Sequence, residues 1–215
     1  MKKIPTLFKR EIVKHKIVSI SPEYTNDTLG DWVLNDCVPT IKIDGSCCAI
    51  INGEFYKRYD ARKGRKIPDG AIKCQEEPDP ITGHLPCWVK VDPDNPADKW
   101  FWTAYQELKI YVPLKLRDNS TYEAIGPHFQ GNPYGHKTDH LVLHGMYMID
   151  NLPKDFEGIK QFLKETPIEG IVWWDMRKPT PAPVAKLKRS DFGFKWPCEG
   201  AIVKMGGIRK WQLKK

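Results

Sequence analysis

The 215-residue sequence predicts an α+β fold dominated by antiparallel sheet, and three observations predict it. Thr40-Ile41-Lys42-Ile43-Asp44 alternates polar and apolar residues, the period of a half-buried strand. Asn52-Gly53, set between the runs Ser46 to Ile51 and Glu54 to Asp60, is a strong two-residue hairpin signal. Phe156, Ile159, Phe162 and Leu163 make one apolar face over 156–164, a short amphipathic helix that Pro167 stops.

The remaining elements follow in order. Residues 63–98 are rich in Pro, Gly and Asp with little periodicity, and predict a loop-rich insert ending near Trp100-Phe101-Trp102. Thr121 to Ile125 reads as a strand running into the loop Gly126 to Gly135, and Leu141 to Ile149 reads as another strand. Ile168 to Trp174 and Val184 to Arg189 complete the set. With no internal repeat, low-complexity segment or convincing linker, residues 1–215 are expected to form a single domain.

Composition narrows the class. Eight each of Trp, Tyr and Phe can fill a core, so the chain should fold alone. No apolar run approaches a membrane span, so no membrane partner is expected. Met1-Lys2-Lys3-Ile4-Pro5 has charge without an apolar stretch behind it, so no secretory signal is read. Cys37, Cys47, Cys48, Cys74, Cys87 and Cys198 contain no C-x-x-C pair and read as free thiols of a reducing cytoplasm. A formal net charge of +7 and a pI near 9.0 favour a polyanionic partner, nucleic acid first.

Candidate chemistry starts at Lys42-Ile43-Asp44-Gly45. On a strand, Lys42 and Asp44 point to one face and Ile41 and Ile43 to the other. Isoleucines beside the lysine stem favour desolvation, which disfavours the ammonium and makes the amine nucleophilic. Reaching neutrality takes a drop of about three pKa units, or about 4 kcal/mol. K-x-D-G alone equally describes an exposed lysine before an Asp-Gly turn. Other charged motifs follow it, however: Arg58 in Tyr56-Lys57-Arg58-Tyr59, Glu123 in Tyr122-Glu123-Ala124-Ile125-Gly126, Tyr147 in Met146-Tyr147-Met148, Glu169-Gly170, and the alternating pair Lys186-Leu187-Lys188. Lys186 and Lys188 share one strand face and aim at one place. Glu169 shares its face with Ile171 and Trp173 and is expected to point inward, where it needs a cation.

This ordered series resembles the motifs of the covalent nucleotidyltransferase superfamily, which contains ATP-dependent DNA ligases, RNA ligases and mRNA-capping guanylyltransferases. Gly131-Asn132-Pro133-Tyr134-Gly135, Ile168-Glu169-Gly170-Ile171-Val172-Trp173 and Gly193-Phe194-Lys195-Trp196-Pro197 are similar to the 5′-3′ RNA ligase branch related to the vertebrate RNA ligase. The resemblance implies a nucleotidyltransferase, ATP-grasp-like fold with antiparallel sheets flanked by a few helices. It implies that Lys42 forms a covalent lysyl-AMP, and that Ile41, Asp44, Arg58, Glu123, Tyr147, Glu169, Lys186 and Lys188 bind the nucleotide. Within that set Arg58 contacts phosphate or ribose, Glu123 the ribose, Tyr147 the base, and Lys186 and Lys188 the α-phosphate. Glu169 serves Mg²⁺ (or Mn²⁺). The implied substrates are ATP and RNA with 5′-phosphate and 3′-hydroxyl ends, as in RNA repair. Alternatives are a capping guanylyltransferase, a minimal DNA ligase, or an inactive nucleic-acid-binding relative. Too little chain follows Lys188 for the OB-fold domain of DNA ligases and capping enzymes, so none is expected.

Plainer readings stand beside these. Tyr147 suits a core position in an apolar strand. Arg58 could be one solvated charge among Lys57, Arg62, Lys63 and Arg65, a run that also suits an RNA backbone. His136, His140 and His144 would line one face of a helix, but the apolar alternation around Leu141 argues for strand, and no carboxylate-rich partner motif is evident for zinc. Arg209 to Lys215 reads as a solvated tail.

Overall fold

The computed structural model describes residues 1–14, 16–80, 82–111, 118–177 and 181–203. The tail from Arg209 to Lys215 lies outside the described residues. The chain divides into two compact units, one of Met1–Lys3 with Asp44–His144, the other of Ile4–Ile43 with the residues from Gly145 onward. Every ladder between the named strands is antiparallel and helices are few, as the α+β expectation required. All six cysteines are free thiols. Among the described residues no helix is long and apolar enough to cross a membrane.

The second unit begins with the hairpin β1 (Phe8–Val13) and β2 (Lys16–Tyr24), followed by helix α1 (Asp31–Asp36) and strand β3 (Val38–Lys42). After the chain returns, helix α3 (Phe156–Glu165) precedes β10 (Gly170–Asp175) and β11 (Ala182–Lys188). These two strands and β3 make a three-stranded sheet with β10 in the middle. One face of it is core: Ile41, Ile171, Trp173, Ala185 and Leu187 are all buried. Ile159 and Leu163 bring the apolar stripe of α3 into the core as expected. That helix is capped by Asp155, whose carboxylate accepts from the Gly158 amide at 2.8 Å, and ends ahead of Pro167. The β1–β2 hairpin escaped the sequence reading because most of its residues are exposed, so no single-face alternation marks it.

The first unit is built on a six-stranded sheet. In sequence the strands are β4 (Ser46–Ile51), β5 (Glu54–Ala61), β6 (Ile72–Lys73), β7 (Leu85–Lys90), β8 (Ser120–Ile125) and β9 (His140–Leu143), and in space they run β6-β7-β5-β4-β8-β9. Asn52 and Gly53 turn β4 into β5 with φ of 51° and 79°, the left-handed pair that a tight hairpin demands. Cys48, Ile50, Phe55 and Tyr122 pack with Ala104 and Tyr105 of helix α2 (Lys99–Tyr111) into one core cluster. The sequence did not give up this helix, whose Trp-, Phe- and Tyr-rich start has modest helix propensity. Leu85–Lys90, within the segment read as loop-rich, is the strand that joins β5 to β6.

Two boundaries move relative to expectation. The strand predicted over 40–44 is β3 and stops at Lys42, so Asp44 is not held to its face by strand alternation. The strand predicted over 141–149 is two pieces. His140–Leu143 pairs with β8, while Tyr147 and Ile149 run beside β3 through the Ile41 amide to the Tyr147 carbonyl (2.8 Å) and the Ile149 amide to the Pro39 carbonyl (2.9 Å).

Gly170 sets the spacing of the three-stranded sheet. It stands opposite Lys42 on one side and Lys188 on the other. A Cβ added there would lie 2.1 Å from the Leu187 carbonyl oxygen and 2.9 Å from the Lys188 Cα, both backbone atoms that cannot step aside. Gly170→Ala is therefore expected to cost roughly 3 kcal/mol of stability, as overpacking against backbone does. Chemical denaturation of the two proteins checks this, and an alanine variant of wild-type stability would contradict it.

Candidate active site

The register about Gly170 brings three lysines to one side of the sheet. Paired residues of an antiparallel ladder project to the same face, so Lys42 and Lys188 flank Gly170, while Thr40 and Lys186 flank Val172. Glu169 lies one residue before β10 and is free of its alternation. The sequence placed it on the inward face with Ile171. It is buried, at 4 % exposure, and its carboxylate meets two lysines, cations of the kind it was expected to need. Lys42 Nζ donates to Oε2 at 2.6 Å and Lys188 Nζ stands 3.0 Å from Oε1. One buried carboxylate thus bridges the nucleophile candidate and one of the motif lysines. In the same unit Arg10 of β1 pairs with Asp191, just after β11, at 3.2 Å, and Asp191 also accepts from the Lys188 amide at 2.8 Å.

Charge does not balance in this cluster. Lys42 and Lys188 both meet Glu169, and Lys186 lies on the same sheet face. Burial, then Lys42, Lys188 and Arg10, push the Lys186 ammonium down to about 8, against a smaller opposing pull from Asp191. A site where half-buried lysines and Arg10 outnumber the Glu169 and Asp191 carboxylates suits a polyanion, and phosphate oxygens would supply negative charge. The same donor set fits magnesium only as a shared ion, with Glu169 as one ligand and phosphate oxygens completing the shell, a common arrangement for that metal.

The other predicted residues fall as follows. The Ile41 side chain is on the core face of β3, and its amide is bonded to the Tyr147 carbonyl. Tyr147 is half-buried, and burial raises its phenol above the usual range. In the first unit, the Asp44 amide donates to the Tyr134 hydroxyl at 2.6 Å. Arg58 donates to Asp60 Oδ1 at 2.9 Å and to the Met1 carbonyl at 3.2 Å. Desolvation opposes its charge, but the Asp60 pair prevails and holds the guanidinium above its ordinary value. Lys57 is paired with the buried Asp98, so of the basic run only Arg62, Lys63 and Arg65 are fully exposed.

Glu123 is buried within β8, between β4 and β9, and there the sequence reading missed a partner. His144 Nε2 lies 2.7 Å from Glu123 Oε2, and its Nδ1 lies 2.9 Å from Thr121 Oγ1. Thr121 and Glu123 are two apart on β8 and share a face, so a polar residue crossing from the end of β9 meets both. Cys47 completes a group whose donor atoms lie within 4.8 Å of one another: its Sγ, a Glu123 oxygen and a His144 nitrogen. Burial and the nearby Glu123 push the Cys47 thiol up to about 12, so it stays protonated. His136 and His140 are not in this group. They meet each other edge to face at 4.6 Å.

Comparison with known proteins agrees with the motif series. The family model described as RNA ligase 1 matches residues 102–208, a span holding Glu123, Tyr147, Glu169, Lys186 and Lys188. A protein named RNA ligase 1 from Danio rerio is 30 % identical over 225 residues, which cover 74 % of this chain and 68 % of that protein. The chain belongs to the RNA ligase 1 family. RNA ligase 1 proteins of Pongo abelii and Rattus norvegicus are 26 % and 25 % identical, each over 88 % of this chain and 77 % of their own length. These longer alignments cover most of the chain, whereas the family model begins beyond Lys42, Asp44 and Arg58.

The cation surplus makes a pH prediction. In the unfolded chain Lys186 titrates near the ordinary lysine value of 10.5, and in the folded chain at about 8. Below about 8 both states carry the proton and the folded state bears the full repulsion. Between 8 and 10.5 the unfolded state binds more protons, so stability contributed at this position rises with pH. Lys186→Met removes the repulsion. It should melt above wild type at pH 7, with the gap closing as pH rises from 8 toward 10.5. A pH-independent gap would contradict the assignment.

Proposed function

We propose that this RNA ligase 1 family member is an ATP-dependent ligase that joins RNA 5′-phosphate and 3′-hydroxyl ends through a lysyl-AMP on Lys42. The observation that carries this is the bridge from Lys42 through Glu169 to Lys188, with Lys186 beside it on the same sheet face.

The chain's own residues suit the first step. Lys42 Nζ attacks the α-phosphorus of ATP, a P–N bond forms, and the bond to the pyrophosphate leaving group breaks. The amine must shed its proton, and Glu169 Oε2 at 2.6 Å is placed to take it. As negative charge grows on the α-phosphate oxygens, Lys186 and Lys188 are the fixed positive charges nearest the nucleophile on their face. Both are held by strand β11, so little reorganisation is needed. Magnesium, held by Glu169 with the substrate phosphates, would add further screening of that charge. Transfer of AMP to the RNA 5′-phosphate and sealing by the 3′-hydroxyl would follow. Glu123 is assigned to the ribose hydroxyls, Tyr147 to the base, and Asp44, Ile41 and Arg58 to the remaining nucleotide contacts. The +7 charge and the exposed Arg62, Lys63 and Arg65 suit an RNA backbone. The fold proposed is that of the nucleotidyltransferases, and the free thiols suit a reducing cytoplasm.

The protein incubated with Mg²⁺ and α-labelled ATP should retain label after denaturation, and Lys42→Ala should retain none. Glu169→Gln, which loses the proton acceptor but keeps the shape, should label at least a hundred-fold more slowly, in the ~10²–10⁴ range of general acid–base catalysis. Labelled protein should then seal 5′-phosphorylated RNA. Label from GTP alone would favour a capping enzyme, sealing of DNA alone a DNA ligase, and no label from either nucleotide a binding protein.

A further inference from the structure

We infer that His144 is a positioning residue that aims Glu123 and thereby sets discrimination for the ribose of the nucleotide. This rests on the assignment of Glu123 to the ribose made above. His144, Thr121, Glu123 and Cys47 belong to one compact unit.

The geometry leaves little freedom. A carboxylate can only accept, so the 2.7 Å contact requires His144 Nε2 to carry the proton and donate to Glu123 Oε2. With the ring neutral, Nδ1 accepts from the Thr121 hydroxyl at 2.9 Å. With the ring charged, Nδ1 donates to that oxygen. The bond to Glu123 is the same in both states. The backbone that carries the ring is held as well, since the His144 amide donates to the Thr121 carbonyl at 3.0 Å. The side chains of His144 and Glu123 are only 13 % and 12 % exposed, so neither is oriented by bulk water. A buried carboxylate without a donor would be costly and mobile between rotamers. With Oε2 held, Oε1 is the oxygen whose position is fixed for a ligand hydroxyl.

Cys47 does not compete for this role, because its thiol is neutral and Arg58 lies close enough to act on it electrostatically. A transition metal gripped by Cys47, Glu123 and His144 is the rival explanation for the cluster, and its effect on the nucleotide would be the opposite. It would occupy the carboxylate that positioning leaves available.

The test measures Lys42 labelling by ATP, 2′-deoxyATP and 3′-deoxyATP in wild type, His144→Ala, His144→Gln and Glu123→Ala. His144→Ala should raise KM for ATP roughly ten-fold, the scale of one hydrogen bond to a charged group, with kcat little changed. It should leave KM unchanged for whichever deoxynucleotide lacks the hydroxyl that Glu123 reads, so the preference for ATP over that analogue shrinks. His144→Gln, whose amide can still donate, should restore part of it. The His144→Ala, Glu123→Ala double variant should discriminate no worse than Glu123→Ala alone. Equal losses with ATP and both analogues would mean a merely structural histidine and would overturn the inference. So would wild-type discrimination that appears only after treatment with a transition-metal chelator. Wild type that takes no label from ATP would sink the ligase proposal and this one with it, whereas labelled wild type with unaltered His144→Ala discrimination would sink this one alone.

Discussion

A single buried carboxylate holding two ammonium groups organises the chemistry of this protein. Glu169 can touch Lys42 and Lys188 at once because Gly170 stands between them in the sheet register. Gly170 in turn can stand there only because it lacks a side chain, which lets β11 close on β10. The Glu-Gly pair is therefore one device with two parts: an acid that binds cations, and a gap that sets how far apart those cations are.

The device is not optimised for stability. A buried ion pair roughly offsets its own desolvation, and a third ammonium beside it adds repulsion that Asp191 only partly offsets. Burial first, and that repulsion second, depress the affinity of Lys186 for the proton. Surplus positive charge at a site is a cost in the free protein and a source of affinity once phosphate arrives. This is a common exchange between stability and activity. The Arg10–Asp191 pair and the buried Thr40, which donates to the Val172 carbonyl and accepts from the Trp174 indole, hold the surrounding strands against it.

How much was legible in the sequence follows from what each feature depends on. Lys42, Glu169, Lys186 and Lys188 could be read because their grouping needs only strand alternation and motif order. The Asn52-Gly53 hairpin and helix α3 were legible because turn chemistry and a 3.6-residue apolar stripe are local signals. Helix α2 was not, since Trp100, Phe101 and Trp102 carry no strong local helix signal and the packing of Ala104 and Tyr105 on the sheet decides it. Neither was the β1–β2 hairpin, which has no buried face to produce alternation. His144 was misjudged for a different reason. It was weighed as a helical metal ligand lacking a carboxylate, while its carboxylate partner is set by the β8–β9 register, in which Tyr122 faces Leu143. Register between strands far apart in sequence leaves no trace in either strand alone.

The most direct test of the cation cluster is a crystal structure of the protein with a non-hydrolysable α,β-methylene analogue of ATP. The α-phosphate is expected among Lys42, Lys186 and Lys188, with Lys42 Nζ within reach of phosphorus. An analogue bound with its phosphates elsewhere, and the lysines still closed on Glu169, would contradict the assignment.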